Sequence, residues 1–206
     1  FRHAKKVNNK GLLLALLFIP ATWICFGQVP RGYYANSFGL NRFELKNALH
    51  IRIHDHDRVP WDSSFRDSWT VLYESDKDPQ NPENILLIYS GSSVEAKDNL
   101  NHHSWEREHV WAKIHGDFGK MIIPATDLHN IKPSDETLNG SSGKWYKDFD
   151  NGGNSHFNND IQYQTDKDSF EPRDEDKGDV ARILFYMDVR YEGGDNELDL
   201  ILTDEV

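Results

Sequence analysis

The sequence predicts an α+β fold, on three observations. Apolar residues recur at helical spacing near both ends of its well-patterned part, a continuous apolar run of strand length lies between them, and polar turn-rich segments separate the elements. Phe43, Leu45, Leu49, Ile51 and Ile53 mark a helix-like pattern that ends near Ile53, and a second short helix is predicted over 64–74. The Asp, Pro and Asn content of 76–83 signals a loop, which leads into a buried strand over 84–90 with ILLIY at its heart. Residues 91–104 are polar and predicted as loop, and 105–111, with bulky and β-branched residues, as a strand. A helix is expected over 135–140, with Ser134 as N-cap and acids in its first turn. Residues 151–159, rich in Gly and Asn, predict an irregular surface loop. In the last predicted helix, over 177–191, Val180, Ile183, Leu184 and Met187 form one core-facing stripe.

A chain of 206 residues, 37% hydrophobic and 28% charged, suits one globular domain with a real core. Six Trp, eight Tyr and eleven Phe exclude a disordered chain, since disordered segments lack aromatics. The N-terminal stretch is different. Arg2, Lys5, Lys6 and Lys10 precede an apolar run over 12–25 that ends at Phe26-Gly27-Gln28, the layout of a secretory signal. The run contains Pro20 and falls short of the ~20 apolar residues that a bilayer span needs. The expectation is a signal peptide over 1–27 and a catalytic domain over 28–206, secreted or periplasmic, monomeric, and not membrane-bound once the signal is removed. The single cysteine, Cys25, lies in the signal, so a mature chain has no internal disulfide.

A net charge of −11 disfavours a strongly basic nucleic-acid groove. Its distribution is uneven. Residues 101–147 carry six acids, six Lys or Arg and five His, whereas 165–206 carry fourteen acids against five bases. The middle is therefore neutral, and a bound divalent cation would add local positive charge there.

That neutral middle holds the chemistry. Residues 105–111, WEREHVW, are followed by TDLHNIKP and then by Asn139, which brings a base, carboxylates, a carboxamide and cations into one region. Hydrolysis of a phosphodiester needs a base for water, and imidazole has the ordinary pKa closest to neutrality. It also needs charge relief, which a hard cation on oxygen ligands can supply. Taken alone, Glu108 and His109 read more readily as a surface Glu beside a half-buried His than as a catalytic pair. Neighbouring strand residues also point to opposite faces, so a shared site demands an irregular backbone or a site that wraps the strand.

The ordered motifs REHVWAKIHGDFG, TDLHNIKPSD, LNG and FEPRDEDKGDVARILFYMDVRYE resemble the bacterial endonuclease I family from about Gly32 to Val206. The resemblance implies a ββα-metal (His-Me) finger embedded in a mixed helical domain. It also implies His109 as general base, Mg2+ or Ca2+ held by Glu108 and Asn139, and DNA or RNA as substrate. Trp105, Arg107, His129, Lys132 and Lys144 are the candidate substrate-binding residues, with His129 and Asn130 also open to a supporting role. Ala112, Ile114 and Lys132 depart mildly from the family pattern. Lys144 stands in a segment where relatives have Arg before the Gly, and a lysine lacks bidentate geometry. The family's Asn- and Arg-rich terminal motif is missing before Val206, which reads as a truncation. The alternative function is a nucleic-acid-binding paralogue with weakened cleavage; a phosphodiesterase of small substrates is a third. His102, His103, His109 and His115 match no common zinc spacing.

Overall fold

A computed structural model describes residues 29–96, 105–119, 123–153, 155–158, 161–194 and 197–203. The predicted signal segment, His102 and His103 lie outside the described residues. The backbone packs as two units, 1–35 and 36–206. Within the described part of the first, Tyr33 N–H donates to Pro30 O at 2.9 Å and Ala35 N–H to Gly32 O at 3.0 Å, closing a turn. Among the described residues no helix is long and apolar enough to cross a membrane.

The second unit is a mixed α+β structure. Helices α1 (Arg42–Ile53) and α2 (Ser68–Ser75) precede strands β1 (Lys77–Asp78), β2 (Asn81–Leu86) and β3 (Ser93–Glu95), which form a three-stranded antiparallel sheet. Strands β4 (Glu106–His109) and β5 (Ile131–Ser134) pair antiparallel, and the short helix α3 (Glu136–Asn139) follows directly. Strands β6 (Asp148–Phe149), β7 (Ser155–Asn158), β8 (Ile161–Thr165) and β9 (Ser169–Glu171) form a sheet in the order β6-β9-β8-β7, and α4 (Asp174–Arg190) closes the unit.

Several expectations shift. The ILLIY run is only partly strand: β2 ends at Leu86, and Ile88 instead makes an isolated parallel bridge to Ser134, its N–H donating to Pro133 O at 2.8 Å. The run is continuously apolar because it joins two sheets and two cores. Ile85 and Leu87 pack with Leu72, Trp105 and Ile131, while Ile88 and Tyr89 pack with Val110, Leu138, Phe170 and Met187. Residues 155–158, expected as loop, form β7, because pairing to β8 supplies hydrogen bonds that local composition does not announce. Part of the predicted 91–104 loop, Ser93–Glu95, pairs with β2. The α3 N-cap is Asp135 rather than Ser134: its carboxylate accepts from Thr137 N at 2.8 Å and Leu138 N at 3.3 Å.

The α4 stripe behaves as its spacing demands. Val180, Ile183 and Met187 are buried, and Leu184 packs partly against the same core. Its first turn carries Asp174, Glu175 and Asp176, favourable at a helix N-terminus.

Candidate active site

Strand β4 carries the acidic and imidazole side chains, and its pairing with β5 sets their height: Glu108 lies opposite Lys132 and His109 opposite Ile131. Just beyond β4 the backbone is clamped by Asn130, which is fully buried. Its amide oxygen accepts from Trp111 N at 2.7 Å, and its amide nitrogen donates to Trp111 O at 3.2 Å. Val110 N also donates to Asn130 O at 3.0 Å. These bonds hold the crossing between the two strands and, through it, the end of β4 that presents His109. Helix α3 packs on β4 and brings Asn139 alongside it.

His109, Glu108 and Asn139 line one cleft of about 890 Å3, together with Glu106 and Glu136. The two adjacent β4 residues reach it differently. His109 Nε2 lies 2.9 Å from Ala125 O, and the imidazole stacks on the Trp61 indole with centroids 5.0 Å apart and planes 16° apart. A carbonyl oxygen only accepts, so Nε2 carries the ring proton and Nδ1 is the basic nitrogen. Glu108 is 2% exposed, and its Oε1 accepts from Tyr89 Oη at 3.1 Å. Burial pushes the Glu108 carboxyl up to about 7, opposed by the charge of Lys144 and by the Tyr89 hydrogen bond. The same pair acts on its partners: burial lowers the Lys144 ammonium against the pull of Glu108, and burial followed by Glu108 raises the Tyr89 phenol. Asn139 Nδ2 donates to Glu106 Oε2 at 3.2 Å, which directs the amide nitrogen to the carboxylate and keeps Oδ1 as a neutral oxygen donor.

Among the described residues no group of three or more His, Cys, Asp or Glu side chains could hold a metal by itself. The cleft instead offers the carboxylates of Glu106, Glu108 and Glu136 and the amide oxygen of Asn139. This all-oxygen set fits a hard cation that keeps most of its waters, and does not fit a closed zinc site.

The proposed substrate-contacting residues are dispersed. Arg107 lines the cleft, but its guanidinium is sandwiched between Trp61 (3.7 Å) and Trp69 (4.2 Å) and bonds to Ser68 Oγ at 2.7 Å and Asp62 at 3.0 Å. Trp105 is 1% exposed, edge-on to Trp69 and Tyr73, so its ring belongs mainly to the core. His129 and Lys132 line a different cavity of about 630 Å3, where Lys132 Nζ donates to Asp76 at 2.9 Å and His129 packs on Tyr186. Lys144 is 1% exposed, 4.6 Å from the Phe149 ring, and lines a third cavity of about 440 Å3.

Sequence reasoning missed the aromatic walls of the cleft. Trp61, Trp145 and Tyr146 all line it. Trp61 stands 48 positions before His109 with no motif to link them, whereas two adjacent aromatics in the polar stretch SSGKWYKD were a visible signal. Asp127 was also unassigned: buried, it accepts from Tyr191 Oη at 2.7 Å, Tyr186 Oη at 3.0 Å and His129 N at 2.9 Å, fastening the segment before β5 to α4.

A strand presenting a carboxylate and an imidazole side by side, with an amide on the helix that follows its partner strand, has the chemical make-up of a hydrolytic centre. A family profile described as Endonuclease I matches residues 41–203, and the chain belongs to the endonuclease I family. Two curated relatives are similar to it: an extracellular ribonuclease of Bacillus amyloliquefaciens, 46% identical over 174 residues, and an extracellular ribonuclease of Bacillus subtilis (strain 168), 46% identical over 176 residues. Each match covers 84% of this chain and 58% of the relative, so the chain spans little more than half the length of either. No solved structure matches it significantly.

Proposed function

We propose that the chain is a secreted, divalent-metal-dependent endonuclease that hydrolyses phosphodiester bonds of RNA, DNA or both. His109 is the general base, and Glu108 and Asn139 hold Mg2+ or Ca2+. The observation that carries this reading is the gathering of His109, Glu108 and Asn139 in one cleft, with the His109 proton held on Nε2 by Ala125 O. The names of the two relatives support RNA as a substrate and an extracellular location. The antiparallel β4–β5 pair followed by α3 supports reading the site as a ββα-metal finger.

In this mechanism Nδ1 of His109 takes a proton from the attacking water. The Ala125 carbonyl keeps the opposite N–H, so the ring is in the tautomer that can accept, and it also stabilises the imidazolium that forms. Trp61 covers one face of the ring, which fixes its plane, and its π-face favours the positive charge. Lys144 and Tyr89 favour the ionised form of Glu108 despite its burial. The cation, when bound, supplies charge relief to the phosphorane and the leaving oxygen.

Incubation of RNA and plasmid DNA with the protein, with and without a chelator and beside His109→Ala, tests the proposal. Cleavage that needs both the metal and His109 is expected; cleavage indifferent to the chelator, or retained in full by the variant, overturns it.

A further inference from the structure

The cleft is poor in the charges that would hold a polyanion. Its cations are Arg107 and Lys113 against the carboxylates of Glu106, Glu108 and Glu136, and Arg107 is already engaged with Asp62 and sandwiched between two indoles. Affinity for a nucleic-acid strand must therefore draw on something besides phosphate neutralisation. The same cleft exposes aromatic surface. Trp145 is 49% and Tyr146 41% exposed, with ring centroids 4.1 Å apart and planes 50° apart, and Ile114, 68% exposed, lines the same space.

These rings are held in place by a built turn. Trp145 has φ of +44°, a left-handed conformation that a bulky residue adopts only where its surroundings impose it. The surroundings do so. Lys144 N donates to Leu138 O at 2.7 Å, and Lys147 N donates to Lys144 O at 2.9 Å. Gly143 lies so close to the α3 backbone that a Cβ there would meet Leu138 O at 2.3 Å and Leu138 Cα at 2.5 Å. The turn is thus packed on the helix that carries Asn139, with buried Lys144 and Lys147 on either side of the two exposed rings.

We propose that Trp145 and Tyr146 form a stacking platform for an unpaired nucleobase next to the scissile phosphate, making the enzyme selective for single-stranded over double-stranded nucleic acid. The inference rests on the nuclease reading of this cleft. A π-face is available for stacking only when a base is unpaired and unstacked; in a duplex both faces are covered by neighbours. A wall of aromatic rings with few cations therefore matches a single strand better than the closely spaced phosphates of a duplex, and it is tolerant of base identity.

The test is fluorescence anisotropy in the presence of chelator, so that binding is read without metal-dependent cleavage. The probe is a short labelled oligoribonucleotide in three forms: single-stranded, annealed to its complement, and single-stranded with abasic sites replacing alternate bases. The Trp145→Ala/Tyr146→Ala double variant should bind the single strand at least about tenfold more weakly than the parent, with Trp145→Phe/Tyr146→Phe restoring most of the loss. Parent and double variant should bind the duplex and the abasic strand alike. Equal affinity of parent and double variant for the intact single strand overturns the proposal. So does an equal loss on all three forms, which would place the effect in charge or in the turn's structure. Cleavage is scored separately: a parent that binds bases through these rings yet cuts no substrate supports the platform and overturns the hydrolase reading.

Discussion

Replacing Asn130 by Ala should destabilise the protein while leaving every candidate catalytic side chain in place. The side chain is fully buried and makes two bonds to one residue, accepting from Trp111 N and donating to Trp111 O. Truncation leaves a buried backbone donor and a buried acceptor without these partners, at about 1–3 kcal/mol each. Water entering the vacated space recovers part of this, so about 2–4 kcal/mol is expected. For a chain of this size that corresponds to roughly 4–16 °C in melting temperature. Asn130→Asp sharpens the test. It keeps an acceptor for Trp111 N but puts a carboxylate against Trp111 O, so burial and the facing carbonyl should raise its folded pKa above the ordinary value of about 3.9. With the folded pKa raised, the variant's stability relative to the parent is greatest below the unfolded pKa, where the protonated acid can donate, and falls as pH rises through the folded pKa. Thermal and urea unfolding of parent, Ala and Asp variants across pH measure both effects. A melting temperature of the Ala variant within about 1 °C of the parent would refute the clamp.

Four other outcomes follow from the same geometry. His109→Ala should lower turnover by about 10² to 10⁴ through loss of the base, and single-turnover kinetics with circular dichroism separates this from misfolding. Glu108→Ala and Asn139→Ala should each raise the Mg2+ concentration needed for half-maximal activity; titration curves superimposable on the parent's would remove both from the metal site. Binding of a noncleavable strand should show a shallow salt dependence, corresponding to about two to four neutralised phosphates, and a slope near about −8 would reveal a basic groove. The Asp166 carboxylate, held below its ordinary pKa by bonds from Ser169 N, Ser169 Oγ and Asp168 N, contributes stability that is present above pH 3.8 and lost as pH falls through its lowered folded pKa. Acid unfolding of Asp166→Asn should therefore begin from a less stable protein and show a flatter slope below that pH.

The elements legible from sequence were those whose signal is local. An apolar stripe at i, i+3, i+4 and i+7 can bury itself only as a helix face, and α4 appears where that spacing places it; α1 also forms over its predicted range, although its Phe43 and Ile51 stay exposed. The acids of an Asp-Glu pair announce the start of α3 for the same reason, although which residue caps it, Ser134 or Asp135, depends on backbone angles that composition does not encode. The short ordered motifs likewise identified the family and singled out Glu108, His109 and Asn139 together. Tertiary structure decided what those residues face. Adjacency on a strand implies opposite directions, and only the fold shows Glu108 turned to Tyr89 while His109 stacks on Trp61, with both still lining one cleft. Lys144, a candidate in sequence, is sealed in the interior, while its neighbour Trp145, which no motif singled out, is half-exposed, because the turn packed on α3 sets the direction of each. Strand β7 was invisible for a related reason, since its hydrogen bonds join residues whose pairing exists only once the chain has closed on itself; a supporting role for Asn130 was legible in sequence, but that it clamps Trp111 was not.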